Sequence, residues 1–125
     1  MKDIKDIFEL TEGILIPKAK KTVFFCEVEE GAYEIFYYVW LQDGSCRQCY
    51  DLAEEGKVEE ILLDETFEKI AGFIQKTEMY DPENRNVVTL TVEGINERVS
   101  FDKYDKSVGL YKIKKDWKLK YSCGQ

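Results

Sequence analysis

The chain has 125 residues, of which 44% are hydrophobic and 14% aromatic, and this composition indicates one packed domain spanning residues 1–125. Its 25 acidic and 18 basic residues give a formal net charge of −7, which disfavours direct contact with nucleic acid or with anionic membranes. The sequence contains no histidine, and this excludes serine–histidine and cysteine–histidine catalysis.

The first half of the chain predicts a helix followed by three antiparallel strands. Residues 3–15 place apolar side chains at three-to-four spacing before Pro17, which favours an amphipathic helix. Two segments rich in β-branched and aromatic residues follow, from Lys21 to Val28 and from Tyr33 to Leu41, with a turn between them. The Asp-Gly pair at 43–44 is typical of a two-residue hairpin turn and predicts a third strand over 45–52.

The second half predicts a helix, a second hairpin and a basic tail. Residues 58–76 carry apolar side chains at helical spacing, and the segment from Val87 to Phe101 alternates around a turn at 93–96. The lysine-rich tail at 107–120 fits either one helix or a helix followed by an edge strand. The order α-β-β-β-α-β-β-(α/β tail) predicts an α+β fold with a mainly antiparallel sheet and a single layer of helices packed on it.

The second predicted strand is aromatic on both of its faces. Tyr33 and Tyr37 share one face, whereas Phe36, Tyr38 and Trp40 share the other, because successive side chains of a strand point in opposite directions. Either helices from both ends of the chain cover both faces, or a partner covers one of them.

Four cysteines occur in a chain whose N-terminus carries alternating charges rather than an apolar signal segment, so we expect a cytoplasmic protein with reduced thiols. Cys46 and Cys49 have the spacing of half a zinc site, but a structural site needs four ligands and no histidine supplies the rest. A thioredoxin-like role would need this pair at a helix start, which the flanking residues do not favour. We therefore predict no metal and no cofactor.

No group of residues predicts catalysis. The candidate carboxylate pairs lie on predicted exposed faces, where nothing raises their pKa toward neutrality, and the eight glycines form no phosphate-binding loop. The longest strongly apolar run, residues 35–41, is far below the roughly 20 residues of a membrane helix. These absences favour a binding protein over an enzyme, with no catalytic residue.

The acidic residues concentrate in the middle of the chain, where residues 31–85 carry 13 acidic and 5 basic side chains. This cluster can be a solvated face, or it can steer a basic partner. Its eight central members are Asp51, Glu54, Glu55, Glu59, Glu60, Asp64, Glu65 and Glu68.

The order of several short segments resembles that of a known family. Ile16 and Pro17 end the first predicted helix and precede the aromatic strand pair VFFCEVEEGAYEIFYYVW. The later hairpin reads VTLTVEGINERVSF, and the chain then continues through Tyr104 and Asp105 to WKLKY. This pattern resembles the YezG/EsaG-like antitoxin (immunity) proteins. The resemblance implies an intracellular antitoxin that binds and neutralises the nuclease domain of a cognate secreted bacterial toxin.

The hypothesis from these two lines of argument is occlusion of the toxin's basic substrate-binding surface. The eight acidic residues would complement toxin lysines and arginines, with Tyr38, Trp40 and Tyr50 as anchors. The free protein would be a monomer or a weak homodimer. The alternative is a non-enzymatic homo-oligomeric adaptor, in which the acidic middle of one copy meets the basic tail of another. The lysines of that tail are Lys112, Lys114, Lys115, Lys118 and Lys120.

Overall fold

The computed structural model describes residues 3–123 and contains a five-stranded antiparallel sheet. The strands lie side by side in the order β3-β2-β1-β4-β5, so that β1 and β4, from opposite halves of the chain, are neighbours. The elements in chain order are a 3₁₀ turn at Ile4–Asp6, α1 at Ile7–Thr11, a second 3₁₀ turn at Glu12–Ile14, β1 at Lys21–Glu29, β2 at Ala32–Trp40, β3 at Cys46–Gln48, α2 at Cys49–Glu54, α3 at Glu60–Gln75, β4 at Arg85–Glu93, β5 at Asn96–Tyr104 and α4 at Leu110–Tyr121.

The first face of the sheet packs against α1 and α3 through Tyr37. This side chain is fully buried, and its ring lies 4.9 Å from the ring of Phe24 and 6.5 Å from that of Phe67 on α3. Its hydroxyl donates a 2.8 Å hydrogen bond to the carbonyl of Ile14. A phenol can be buried at little cost only when its hydroxyl is paired, so this bond fixes the N-terminal segment against the sheet.

The second face packs against α4 through Trp117. Its ring lies 5.2 Å from that of Phe25 and 5.8 Å from that of Phe36, and it stacks on Tyr38 at 6.3 Å. Its indole Nε1 donates to Thr89 Oγ1 at 2.9 Å. The tail of the chain therefore forms a helix that covers the second aromatic face.

These contacts confirm the α+β class and the antiparallel sheet but correct the predicted single layer of helices. Helices from the two ends of the chain lie on opposite faces of the sheet. The physical reason is that Phe24 and Phe25 are consecutive residues of β1, point to opposite faces and are both fully buried. Each face needs a cover.

The third strand is shorter than predicted, because it ends at Gln48 and a helix begins at once. The side-chain oxygen of Gln48 accepts a 2.9 Å hydrogen bond from the backbone N–H of Tyr50, which caps α2. Cys49 and Leu52 are buried on the inner side of this helix. The prediction of strand over 49–52 was therefore wrong, as was the view that the residues flanking Cys49 do not start a helix.

The expectation of four reduced thiols was wrong for Cys46 and Cys123. These two residues form a disulfide with a Cα–Cα distance of 5.5 Å, within the usual range for such a bond. It joins edge strand β3 to the segment just after α4, two regions 77 residues apart in sequence. Cys26 and Cys49 are free and buried. The path of α4 across the sheet brings the bonded pair together, and spacing along the chain does not reveal that path.

Replacing Trp117 with alanine tests how α4 is held. We expect a loss of about 3–5 kcal/mol in the free energy of unfolding, because a large buried aromatic side chain and its hydrogen bond to Thr89 are removed. Urea unfolding followed by circular dichroism measures this change. Tyr111→Ala is the matched control, since Tyr111 lies on the same helix with 80% of its surface exposed. Equal effects of the two variants would contradict the packing described for α4.

Candidate partner-binding surface

The eight predicted acidic residues all lie on α2, on α3 or on the loop between them, and all are exposed. Over residues 49–75 they face only two basic residues, Lys57 and Lys69. Helix α3 is amphipathic, since Leu63, Phe67 and Ile70 are buried against the sheet while its outer side is charged. The fold therefore gathers the acidic residues on the side of the sheet that α3 covers.

A row of carboxylates on α3 lies beside two partly exposed tyrosines. Glu60, Asp64 and Glu68 are each four residues apart and so share one side of the helix. Tyr50 from α2 and Tyr33 from β2 lie beside them with 37% and 44% of their surfaces exposed. We call these five residues the α3 surface.

Burial and the nearby carboxylates act on the pKa values of both phenols. Burial, then Cys49, then the charges of Asp64 and Glu60 raise the pKa of Tyr50 to about 12. Burial first, and then Glu68 and Asp64, raise the pKa of Tyr33. Burial and nearby negative charge both disfavour the phenolate, so both tyrosines keep their hydroxyl proton for donation to a partner at neutral pH.

Not every predicted acidic residue is equally available. Glu55 forms ion pairs with Arg47 and, at 3.6 Å, with Lys57, so part of its charge is neutralised. Within residues 3–123, the other seven predicted carboxylates form no ion pair. The free negative charge is consequently greatest along α3.

The structure separates the predicted anchors Tyr38 and Trp40 from the α3 surface. Both side chains lie on the face covered by α4, where Tyr38 stacks on Trp117 and Trp40 lies 5.1 Å beneath the ammonium of Lys21. Of the three predicted aromatic anchors, only Tyr50 lies beside the acidic row. The sequence analysis did not identify Tyr33 as an anchor, although strand alternation puts it on the same face as Tyr37.

The basic tail already makes contacts within its own chain. Lys114 pairs with Glu34, Lys112 pairs with Asp116 at 3.0 Å, and the ammonium of Lys118 lies 5.4 Å from the ring centre of Phe36. Because α4 and α3 cover opposite faces, the acidic and basic surfaces of one molecule point away from each other.

The carboxyl group of Glu27 is buried between the sheet and the start of α4. Glu27 is 1% exposed, and its Oε2 has no hydrogen-bond partner. The two neighbouring carboxylates already have cationic partners, since Glu29 accepts a 2.8 Å hydrogen bond from Arg85 and Glu34 pairs with Lys114. Burial, then a hydrogen bond and repulsion from Glu29, raise the pKa of Glu27 to about 8, although Arg85 opposes this shift. Glu27 is thus largely a neutral acid at pH 7.

Replacing Glu27 with glutamine tests this neutral state. The pKa of Glu27 is about 8 when folded, against a reference of 4.5, so the folded protein binds the extra proton between these values. The stability this provides is full below the reference pKa and is lost as pH rises through the folded pKa. We expect unfolding free energies at about pH 5, 7 and 9 to fall less steeply in Glu27→Gln than in wild type. Exposed Glu65→Gln should keep the wild-type profile; parallel profiles for all three proteins would contradict the assignment.

The cysteines offer little reactive chemistry. Cys46 is held in the disulfide, and burial raises the pKa of Cys49 to about 11, so its thiolate is scarce at neutral pH. Within residues 3–123, no group of three or more cysteine, aspartate or glutamate side chains is arranged to hold a metal ion. In the same part of the chain, no helix has both the length and the apolar character needed to cross a membrane.

Comparison with known proteins adds no assignment to this geometry. Neither a protein-family model nor a curated protein matches the chain. The resemblance to antitoxins noted in the sequence therefore stays a prediction.

Proposed function

We propose that the protein is a non-enzymatic, cytoplasmic antitoxin (immunity protein) that binds the basic nuclease domain of a cognate secreted toxin and blocks its substrate-binding surface. The observation that carries this proposal is the α3 surface: a row of free carboxylates flanked by Tyr33 and Tyr50. The resemblance of the strand and tail sequences to antitoxins supports the same class of partner.

The acidic row presents negative charge of the kind that a nucleic-acid-binding surface attracts. Four helical residues rise by about 6 Å, so Glu60, Asp64 and Glu68 present a line of negative charge along the helix. A nuclease holds phosphates with lysines and arginines, and such groups attract carboxylates as they attract a phosphate backbone. The acidic row can therefore occupy the toxin's phosphate-binding groove and exclude the substrate.

The tyrosines supply binding free energy that the exposed carboxylates alone do not. Exposed carboxylates mainly accelerate encounter and are screened by salt, whereas partly buried aromatic residues contribute most of the binding free energy at many protein interfaces. The ring of Tyr50 is held by the ring of Phe67, since their centres lie 6.4 Å apart. Binding a partner therefore costs little side-chain entropy at Tyr50. We expect Tyr50 to anchor the complex and the carboxylates to orient it.

The test is isothermal titration calorimetry with the product of the adjacent reading frame, accompanied by a nuclease assay of that product. Charge reversal in the triple variant Glu60→Lys/Asp64→Lys/Glu68→Lys should weaken binding at least about 100-fold at ~50 mM salt, and less at ~500 mM, because salt screens exposed charges. The triple variant Glu12→Lys/Glu78→Lys/Glu83→Lys makes the same charge change at exposed sites outside α2 and α3 and should bind nearly as wild type does.

Two outcomes would contradict this proposal. Wild-type protein that forms no complex, or a complex that leaves cleavage intact, would remove the antitoxin function. Wild-type affinity of the α3 variant at low salt would remove the α3 surface as the binding site. Tyr50→Ala separates the contribution of the anchor from that of the charges.

Neutralisation in a reducing cytoplasm requires that binding survive reduction of the Cys46–Cys123 disulfide. The α3 surface lies on the face packed through Tyr37 and Phe67, and these contacts do not involve the disulfide. We therefore expect the affinity for the toxin to be the same with and without dithiothreitol in the calorimeter. Loss of binding on reduction would show that the disulfide holds the binding-competent state.

A further inference from the structure

Strand β5 forms one edge of the sheet over nine residues, Asn96–Tyr104. The opposite edge, β3, has three residues and leads directly into α2. An edge strand leaves every second residue with its backbone N–H and C=O unpaired, and a long edge can accept another strand. The two edges therefore differ greatly in their capacity to bind a strand.

The hairpin turn determines which groups of β5 are free. Glu93 and Asn96 are partners on either side of a two-residue loop, and such a closing pair exchanges both hydrogen bonds. The register then continues without interruption to Arg85 and Tyr104. Alternation leaves odd-numbered residues pointing their backbone groups away from β4. They are Glu97, Val99, Phe101 and Lys103.

The sequence of β5 complements itself when two copies run antiparallel about Ser100. Glu97 then faces Lys103 of the second copy, Arg98 faces Asp102, and each pair occurs twice by symmetry. Opposite charges placed directly across two strands stabilise their pairing. Because only odd-numbered residues have free backbone groups, the alternative registers differ by two residues. A shift of two in either direction removes both kinds of charge pair, so the sequence selects one register.

The apolar residues of β5 fit the same register. Val99 and Phe101 are partly buried on the face covered by α1 and α3, where they pair with Leu90 and Val88 of β4. In the register about Ser100, Val99 of each copy faces Phe101 of the other, which covers their outer sides. Arg98 is 73% exposed and has only a 3.8 Å contact with Glu93 in its own chain. Its charge is therefore available to a second copy.

We propose that two copies of this chain pair through β5, antiparallel about Ser100, and so join two five-stranded sheets into one of ten strands. The two-fold axis is perpendicular to the sheet, and the short β3 strands lie at its two outer edges. Growth therefore stops at the dimer. Helix α3 packs over β1 and β2, away from β5, so the dimer leaves the α3 surface open and does not depend on the proposed function.

Sedimentation equilibrium of the full chain tests the dimer and its register. Wild type should sediment as a dimer at about 100 µM, and Arg98→Asp or Asp102→Arg should weaken the dimer at least about 10-fold by placing like charges opposite each other. The exchange Arg98→Asp/Asp102→Arg restores opposite charges and should restore the dimer. A monomeric wild type up to about 1 mM would overturn the proposal. Failure of the exchange to restore a dimer, with thermal unfolding unchanged, would overturn this register.

A cross-link tests the central pair without altering charge. Ser100 of one copy would face Ser100 of the other in a position where the Cα atoms are about 4.5 Å apart, close enough for a disulfide. Ser100→Cys should give a covalent dimer on mild oxidation, seen on a non-reducing gel. Ser107→Cys, at an exposed site outside β5, should stay monomeric on the gel. Equal cross-linking of the two variants, or none by Ser100→Cys, would contradict the β5 pairing.

Discussion

The burial of β1 from both sides is the constraint on which the rest of the fold depends. This strand lies at the centre of the sheet, and seven consecutive residues of it, from Thr22 to Val28, are buried. Such a strand needs a helical layer on each face, and the chain provides α1 and α3 for one and α4 for the other. Each cover is fixed by a buried hydrogen bond as well as by apolar contact, through Tyr37 on one face and Trp117 on the other. Loss of either layer would expose aromatic side chains of the central strands to water.

The two covering layers also divide the charge of the molecule. Helix α3 uses its apolar side for the core and turns its carboxylates outward, whereas α4 does the same with lysines on the opposite face of the sheet. The folded chain therefore has an acidic side and a basic side, and its net charge of −7 does not describe this separation. The attraction for positive charge is therefore greatest on the α3 side, where Tyr50 and Tyr33 lie beside the carboxylates.

Local patterns predicted most of the elements, because hairpins and amphipathic helices depend on neighbouring residues. The two hairpins and α3 were found in this way, as was the acidic row, since helical spacing brings Glu60, Asp64 and Glu68 together. The predictions that were wrong concern features that depend on contacts between residues far apart in the sequence. The end of β3 is set by the cap that Gln48 forms, and the face that carries Tyr38 and Trp40 is covered by α4, which comes from the far end of the chain. Strand alternation separates two faces but does not say which helix covers each.

The disulfide between β3 and the end of α4 gives the chain a covalent topology beyond that of a simple thread. Cys46 and Cys123 close a ring that contains β3, α2, α3, β4, β5 and α4. Hydrolysis of one peptide bond inside this ring opens it but leaves a single molecule, because both fragments remain joined through sulfur. Hydrolysis in the exposed segment around Lys18 and Lys20, outside the ring, instead removes the covalent link between the N-terminal helical segment and the rest of the chain. A single cut therefore divides the chain covalently or leaves it joined, depending on which side of Cys46 it falls.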